Sequence, residues 1–304
     1  MGMKNSRNWA PLLILVVIVM LGGATSPAIK LGIRGIPPII FVAVRFAFAL
    51  MLLLPFALKY LRKLESRDWW ELGKLSFWAT ANILLFVWGI KDTSAIMGQT
   101  LYVGVPVLTI ILSQMLKTER LSSNKIIGVV LGLLGSLMII LLPAWEKGVV
   151  NGGSVKGNIL IMLAVISYTV YTVKSKIFQS KYRPMVITTT FSLTTLGISL
   201  LLLPIDLRGG WDWLHKITWQ GGLALAYVGF IGTGAWYWLY QELIKKASPT
   251  IASFVFYLMP IASFVWAWLL LGEKLSVGFV LGAVLVLLGA WLASKKNNEG
   301  NTSN

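Results

Sequence analysis

The sequence predicts an all-α integral membrane protein with ten transmembrane helices, arranged as two five-helix repeats of inverted topology. Three observations lead to this prediction. The 304 residues are 57% hydrophobic and only 12% charged, with a mean hydropathy of +0.77, whereas about a quarter of the residues of a soluble domain are charged. Ten apolar runs approach the ~20 residues that a helix needs to cross the hydrocarbon. Finally, the two halves of the chain match each other at a shift of 154 positions.

The ten apolar runs are separated by short spacers, which favours a compact helical bundle. In chain order, the runs are residues 10–29, 36–58, 69–90, 94–116, 123–143, 156–177, 184–204, 219–241, 248–271 and 276–293.

Lysine and arginine residues set the predicted orientation of the runs. If the N-terminus is cytoplasmic, the inside segments hold roughly twice as many of these residues as the outside segments. We therefore expect both termini to be cytoplasmic in a multi-pass protein of the plasma (inner) membrane. The formal net charge of +16 lies in these short segments, so no nucleic-acid partner is expected. The basic loop 59–67 is interpreted as a topology anchor rather than a lipid-specific site.

The internal repeat needs no gap across the matched stretch. The matched pairs are Pro106 and Pro260, Glu119 and Glu273, Gly128 and Gly282, and Gly135 and Gly289. The shift spans five helices, an odd number, so the second copy enters the membrane from the opposite side. We expect a first repeat at 1–146, a second, inverted repeat at 147–294, and a short cytoplasmic tail at 295–304.

The matched glutamates mark where the chain leaves the hydrocarbon, since a charge placed deeper would cost several kcal/mol. Glu119 is predicted to end its helix at the cytoplasmic face and Glu273 at the outer face. Two interpretations stay open for both residues: a cap on the next helix, or one side of a gating ion pair.

The matched prolines predict two helix kinks at corresponding places. A proline inside a helix displaces the carbonyl four residues earlier, which is that of Tyr102 for Pro106 and that of Phe256 for Pro260. Exposed backbone at membrane depth is tolerated only against protein or a wet cavity, so the kinks point to a central pathway between the halves. A kink that only improves packing is the alternative.

The glycines of the fifth and tenth runs indicate close helix packing. Gly128 and Gly132 form one GxxxG motif, and Gly278 and Gly282 form another. Small residues at this spacing let helix backbones approach closely. These two helices are therefore predicted to pack at the periphery.

The segment GGATSPAIKLGIRGIPPIIFVAVRFAFALMLLLPFAL and the two Pro…Glu…Gly blocks resemble the EamA family of the drug/metabolite transporter superfamily. The resemblance covers residues 9–293 and is strongest for bacterial exporters of amino acids and small metabolites. It implies two EamA repeats, cytoplasmic termini, and a cavity formed by helices one, three, four, six, eight and nine. One departure is Gly22-Gly23, where the family often has Trp-Gly.

Polar and aromatic side chains at helical spacing on those helices are the candidate contacts for a small-molecule substrate. They are Trp78, Asn82, Gln99, Tyr102, Tyr168, Tyr171, Trp236, Tyr240, Ser253 and Tyr257. Because they carry no fixed charge, they suit a zwitterion, an aromatic metabolite or an organic cation. Export of amino acids or other metabolites by alternating access is thus expected, with multidrug or organic-cation export as the alternative. For each Tyr or Trp, an interfacial position is the other interpretation.

The remaining polar residues argue against catalysis and metal binding. The chain has no cysteine, one histidine (His215) and 11 dispersed acidic residues, so no enzyme activity, catalytic residue, metal site or cofactor is expected. No Asp or Glu lies at mid-depth in any run, which favours facilitated or weakly coupled transport over a proton-driven pump. Arg45 lies well inside a run and is expected to pair with helix-end carbonyls or with Glu71. The lipid bilayer is the expected surrounding, and the oligomeric state stays open.

Overall fold

The computed structural model describes residues 9–33, 36–93, 95–146, 154–208, 210–271 and 277–294, and all regular secondary structure within these ranges is helical. The first half contains α1 (Ala10–Ile33), α2 (Pro38–Leu61), α3 (Ser66–Asp92), α4 (Ala95–Tyr102), α5 (Val105–Met115) and α6 (Ser123–Glu146). The second half contains α7 (Val155–Phe178), α8 (Pro184–Leu207), a 3₁₀ turn (Asp212–Lys216), α9 (Trp219–Gly229), a π-helical segment (Phe230–Ala235), α10 (Trp236–Lys246), α11 (Pro249–Ser253), α12 (Val255–Leu271) and α13 (Val277–Ser294). Glu273 and the tail 295–304 lie outside the described residues.

The helices are long and apolar enough for a multi-span membrane protein. Within the described ranges, seven helical segments have the length and hydropathy to cross a bilayer. Three shorter apolar helical segments, Ala10–Thr25, Pro249–Ser263 and Gly278–Ser294, account for the first, ninth and tenth predicted runs. Each predicted run is helical over most of the residues that the structure describes.

Local sequence signals explain where several helices begin. Pro38, Pro184 and Pro249 occupy the first turns of α2, α8 and α11, where a missing N–H has no cost. The side chains of Ser154 and Thr218 accept hydrogen bonds from the first-turn N–H groups of α7 and α9, which satisfies donors that have no partner within the helix.

The contacts between helices are symmetric: a contact made by a helix of one half has an equivalent contact made by the corresponding helix of the other half. In the first half, α1 packs against α10 and α12, whereas in the second half the corresponding helix α7 packs against α3 and α5. The equivalent helices α2 and α8 pack against each other, as do α6 and α13. This exchange is what a pseudo-two-fold axis between the repeats produces.

Glycines bring α6 and α13 into backbone contact, as their spacing predicts. A Cβ atom added to Gly128 would lie 2.5 Å from the carbonyl oxygen of Gly289, and one added to Gly135 would lie 2.5 Å from that of Gly282. The partners run in opposite order along the two helices, so α6 and α13 are antiparallel. The pairs are also equivalent under the 154-residue shift, as a local two-fold axis requires.

The backbone breaks differ from the prediction of two matched kinks. The first break lies at residues 103–104, so Pro106 falls in the first turn of α5 and interrupts no helical hydrogen bond. The second lies at Phe254, whereas Pro260 sits inside the continuous helix α12. The breaks are therefore not at corresponding positions. A third irregularity is the π-helical segment Phe230–Ala235, a feature that is frequent at functional sites.

Candidate functional site

A cluster of aromatic rings fills the centre of the bundle and joins helices of both halves. The ring of Tyr168 lies 5.6 Å from that of Tyr240 and 5.3 Å from that of Phe256. Trp236 stacks on Tyr240 at 5.2 Å with an angle of 8° between the planes. Tyr102 reaches the same group, 5.7 Å from Phe256. We call these five residues the central aromatic cluster.

An amide group anchors the first half to the cluster. Asn82 on α3 is 3% exposed. Its Nδ2 donates hydrogen bonds to the hydroxyl of Tyr102 at 2.5 Å and to the carbonyl oxygen of Ala164 at 2.9 Å. The side chain thereby joins α3, α4 and α7 beside the break that follows Tyr102. This contact depends on chain segments far apart in sequence.

Hydrogen bonds also fix the second half of the cluster. Trp236 follows the π-helical segment, and its indole Nε1 donates to the carbonyl oxygen of Ile18 at 2.9 Å. The hydroxyls of Tyr240 and Thr172 lie 3.3 Å apart. The indole and the phenol are therefore oriented by α1 and α7 rather than by α10 alone.

Within the part of the chain that the structure describes, several buried hydroxyls meet no hydrogen-bond partner at bonding geometry. They are those of Tyr168, Tyr171 and Tyr257, together with Thr109 and Ser113 on α5. A buried polar group without a partner costs roughly 1–3 kcal/mol. Tyr168 and Tyr171, whose rings lie 6.2 Å apart, could recover this cost by bonding to a polar ligand. The arrangement suits stacking and hydrogen bonding to an uncharged or zwitterionic molecule.

The structure brings together six of the ten candidate residues predicted from the sequence. Five are ring residues and one is the amide: Tyr102, Tyr168, Tyr171, Trp236, Tyr240 and Asn82.

The other four candidates lie apart from the cluster contacts. Gln99 is exposed. Trp78 is half-buried, with the Lys174 ammonium 5.9 Å from its ring. Ser253 is buried, and its hydroxyl donates to the carbonyl oxygen of Thr250 at 2.7 Å. Tyr257 packs its ring against Gly132 of α6 and against Phe254.

Phe256 is the cluster member that the sequence analysis did not predict. Polar and aromatic pairs at helical spacing were the candidates there, and in this helix the pair was Ser253 and Tyr257. The break at Phe254 resets the rotation of α12, so Phe256 rather than Tyr257 faces Tyr168. The repeat itself carried the signal, because the 154-residue shift places Phe256 opposite Tyr102, and these two rings meet in the structure.

Glu119 joins the two halves at one end of the bundle. Its carboxylate accepts hydrogen bonds from the backbone N–H of Thr250 at 3.0 Å, from the Thr250 hydroxyl, and from Lys125 Nζ at 2.8 Å. Burial raises the pKa of Glu119, but the hydrogen bonds from Lys125, Ser248 and Thr250 outweigh it and hold the pKa below its usual value. Glu119 is therefore both a cap on α11 and one side of an ion pair.

Arg45 has a different partner from the one expected. Its Nε donates to the hydroxyl of Thr233 at 2.9 Å, inside the π-helical segment. Glu71 instead accepts from Arg67 at 3.2 Å and from the hydroxyl of Tyr182 at 3.2 Å. The predicted pairing with Glu71 is thus wrong, since Glu71 lies in the first turns of α3, with Arg67, rather than at the depth of Arg45.

The structure is thus a bundle of apolar, membrane-length helices in which two exchange-related halves meet at a buried aromatic and polar site. Comparisons with known proteins identify the class. The EamA-like transporter family matches the chain twice, over residues 8–141 and 155–295. The chain therefore belongs to the EamA-like transporter family.

Individual relatives agree with this assignment. The chain is 25% identical to an "Uncharacterized transporter" of Archaeoglobus fulgidus, across 95% of this chain and 99% of the relative. It is 24% identical to the "Uncharacterized transporter YoaV" of Bacillus subtilis, across 91% and 94%. A WAT1-related protein of Arabidopsis thaliana is 25% identical, across 99% and 94%. One solved crystal structure, 18% identical, has a TM-score of 0.78 and covers 95% of this chain and 98% of its own, which supports the fold alone.

Proposed function

We propose that this transporter exports small polar or aromatic metabolites, with amino acids as the first candidates, by alternating access through the centre of the bundle. The proposal includes ten transmembrane helices in two inverted repeats (1–146 and 147–294), a tail at 295–304, and cytoplasmic termini at the plasma membrane. The observation that carries it is the central aromatic cluster, to which helices of both halves contribute rings.

The chemistry of the cluster supports this substrate class. Ring faces stack on planar or apolar groups, and the hydroxyls of Tyr168 and Tyr171 can bond to the ammonium or carboxylate of a zwitterion. The ring and hydrogen-bond contacts of the cluster include no carboxylate. A group that changes charge with each cycle is thus missing from these contacts, which favours transport driven by the substrate gradient.

Irregular backbone beside the cluster supports a change of conformation. Tyr102 ends α4 at the first break, Phe256 follows the second break by two residues, and Trp236 follows the π-helical segment. Segment ends of this kind absorb the dihedral changes of hinge motions. Because Tyr168 and Tyr240 are at most 2% exposed, a substrate can reach these two rings only when helices separate.

Closure at the Glu119 end is held by contacts between the halves. There Glu119 of the first half accepts hydrogen bonds from the backbone N–H and the hydroxyl of Thr250 of the second half. Opening toward that side requires these bonds to break. In the proposed topology this side is cytoplasmic, so the structure corresponds to a state closed to the cytoplasm.

Organic-cation export is the second candidate, and the parallel rings of Trp236 and Tyr240 favour it. Stacked electron-rich faces attract cations without a carboxylate. The two candidates differ in what they need from Tyr168: a zwitterion uses its hydroxyl, whereas a cation needs only its ring.

A substrate panel in proteoliposomes tests the proposal. We expect uptake of amino acids driven by the substrate gradient alone, with loss of transport in Tyr240→Ala and normal transport in the control Trp219→Ala, since Trp219 is 72% exposed. Tyr168→Phe should weaken amino-acid transport by about tenfold, as expected for one hydrogen bond to a charged group, and leave organic-cation transport unchanged. Normal transport by folded Tyr240→Ala, or a strict need for a proton gradient, would contradict the proposal.

A further inference from the structure

A basic groove lies at the bundle end where α2 and α10 finish and α8 begins. It has a volume of about 400 Å³ and is lined by residues of these three helices. Its charged rim consists of Lys59, Arg183, Glu242 and Lys245. Closer to the middle of the spans, its wall is apolar and aromatic, with Phe56, Met185 and Trp238. The groove therefore changes from basic to apolar along the direction of the membrane normal.

The three cations of the groove are not neutralised by ion pairs. Across the residues that the structure describes, no carboxylate lies within 4.0 Å of Lys59, Arg183 or Lys245. Other cations at this end are paired, such as Lys181 with Asp68 at 2.5 Å. With three cations and only Glu242 as an anion, the groove keeps an excess of positive charge.

Arg183 is held in a fixed orientation by an aromatic ring. Its Nη1 donates to the hydroxyl of Tyr60 at 2.9 Å, and its guanidinium carbon lies 4.4 Å from the centre of that ring. Lys59 Nζ lies 5.1 Å from the same centre. Stacking leaves most of the five guanidinium N–H donors available to an anion.

The start of α8 adds a further positive contribution. Arg183 is its N-cap and makes no side-chain capping hydrogen bond. The first-turn N–H groups of this 24-residue helix carry the positive end of its dipole, which favours an anion at this position. Guanidinium, two ammonium groups and the helix start thus converge on one opening.

We propose that this groove binds the headgroup phosphate of an anionic phospholipid, with the acyl chains lying along Phe56, Met185 and Trp238. Basic pockets between transmembrane helices bind such headgroups, and the apolar wall selects an amphipathic ligand over a free phosphate. The structure refines the interpretation of the basic loop 59–67. Lys59 and Lys245 line the groove, whereas Lys63, which is exposed as they are, does not.

The experiment is native mass spectrometry of the purified, delipidated protein titrated with phosphatidylglycerol or phosphatidylcholine. The test variant is Lys59→Ala/Lys245→Ala. The matched control is Lys63→Ala/Lys246→Ala, which removes the same charge from exposed neighbours on the same segments. We expect the test variant to bind the first phosphatidylglycerol about 30-fold more weakly, since each cation near the surface contributes about a factor of five, and the control to bind as the wild type does.

Other outcomes would overturn the proposal. The first is an equal loss of phosphatidylglycerol affinity in the two double variants, or no loss in the test variant. The second is an equal loss of phosphatidylcholine affinity in the test variant. The third is displacement of the lipid by inorganic phosphate at the concentration at which a soluble headgroup displaces it. Thermal unfolding of both variants in detergent identifies any folding defect, and Arg183→Gln, tested in parallel, supplies an independent single substitution. Since no transport is measured, failure here would leave the proposed function unaffected.

Discussion

Single residues in this protein connect segments that are far apart in sequence, and Glu119 shows this most directly. From sequence, a helix cap and a gating ion pair were competing interpretations. In the structure the cap falls on α11 of the other half rather than on the next helix, because one carboxylate oxygen accepts from Thr250, while the other pairs with the nearby Lys125; a gating role stays a prediction. Glu273 lies outside the described residues, so the structure describes a contact of this kind only for Glu119.

Glu119→Gln should destabilise the protein by roughly 1.5–3 kcal/mol at neutral pH, the value of a hydrogen bond to a charged group. The lowered pKa of Glu119 means that its contribution is complete above the unfolded pKa of about 4.3. It is lost as the pH falls through the lower folded value. Thermal unfolding in detergent from pH 7 to pH 3 measures both effects.

Asp92→Asn is the control for the Glu119 substitution. Asp92 pairs with Lys156 at 3.5 Å, but that pair is exposed, so we expect a change of at most about 1 kcal/mol. Equal unfolding temperatures and equal pH profiles for Glu119→Gln and the wild type would show that the capping contact is unimportant.

Arg45 illustrates how far sequence reasoning reaches for a single residue. Its position inside an apolar run was sufficient to predict a buried, partnered cation, and it is 7% exposed. Its partner, Thr233, lies 188 positions away. No periodicity in the sequence indicates this contact, because it joins α2 of the first half to the π-helical segment of the second half.

At the scale of elements, glycines bring the backbones of α6 and α13 into direct contact across the halves. Gly135→Ala should destabilise the protein by more than about 2 kcal/mol, because its Cβ would lie 2.5 Å from the carbonyl oxygen of Gly282 and the helices would have to separate. Unfolding in mixed detergent micelles measures the change.

Gly73→Ala is the matched control for the glycine contact. It lies inside α3, and nothing comes within 4 Å of the added Cβ. We expect a gain of roughly 0.5–1 kcal/mol, because alanine favours the helix over glycine. A similar small gain in Gly135→Ala would mean that α6 and α13 do not pack this closely.

Elements also show why only part of the candidate site could be predicted. Tyr168, Tyr171, Trp236 and Tyr240 lie on helices whose spacing is regular, so their shared faces followed from the period of 3.6 residues. Phe256 and Tyr257 follow a break at Phe254. A break changes the rotation of the next helix, and only packing against Tyr168 and Gly132 determines which ring points to the centre.

For the whole molecule, the proposal of inverted repeats makes a direct topological prediction. The chain has no cysteine, so single cysteines can be introduced without background. Lys91→Cys and Arg208→Cys should react with a membrane-impermeant maleimide in intact cells, whereas Lys63→Cys and Lys246→Cys should react only after permeabilisation. Each pair takes one residue from each half. Opposite sides for Lys63 and Lys246 would rule out the inverted arrangement.

The amino-acid sequence by itself determined the membrane environment, the positions of the helical runs, the 154-residue register and the residue types of the candidate site. These properties depend on composition and on spacing along one chain. Only the tertiary structure decided that Phe256 completes the aromatic cluster, that Thr233 bonds to Arg45, that Glu119 caps α11, and that three unpaired cations share one groove. Each of these contacts joins helices whose relative rotation and pairing arise from packing between the halves, which no local pattern specifies.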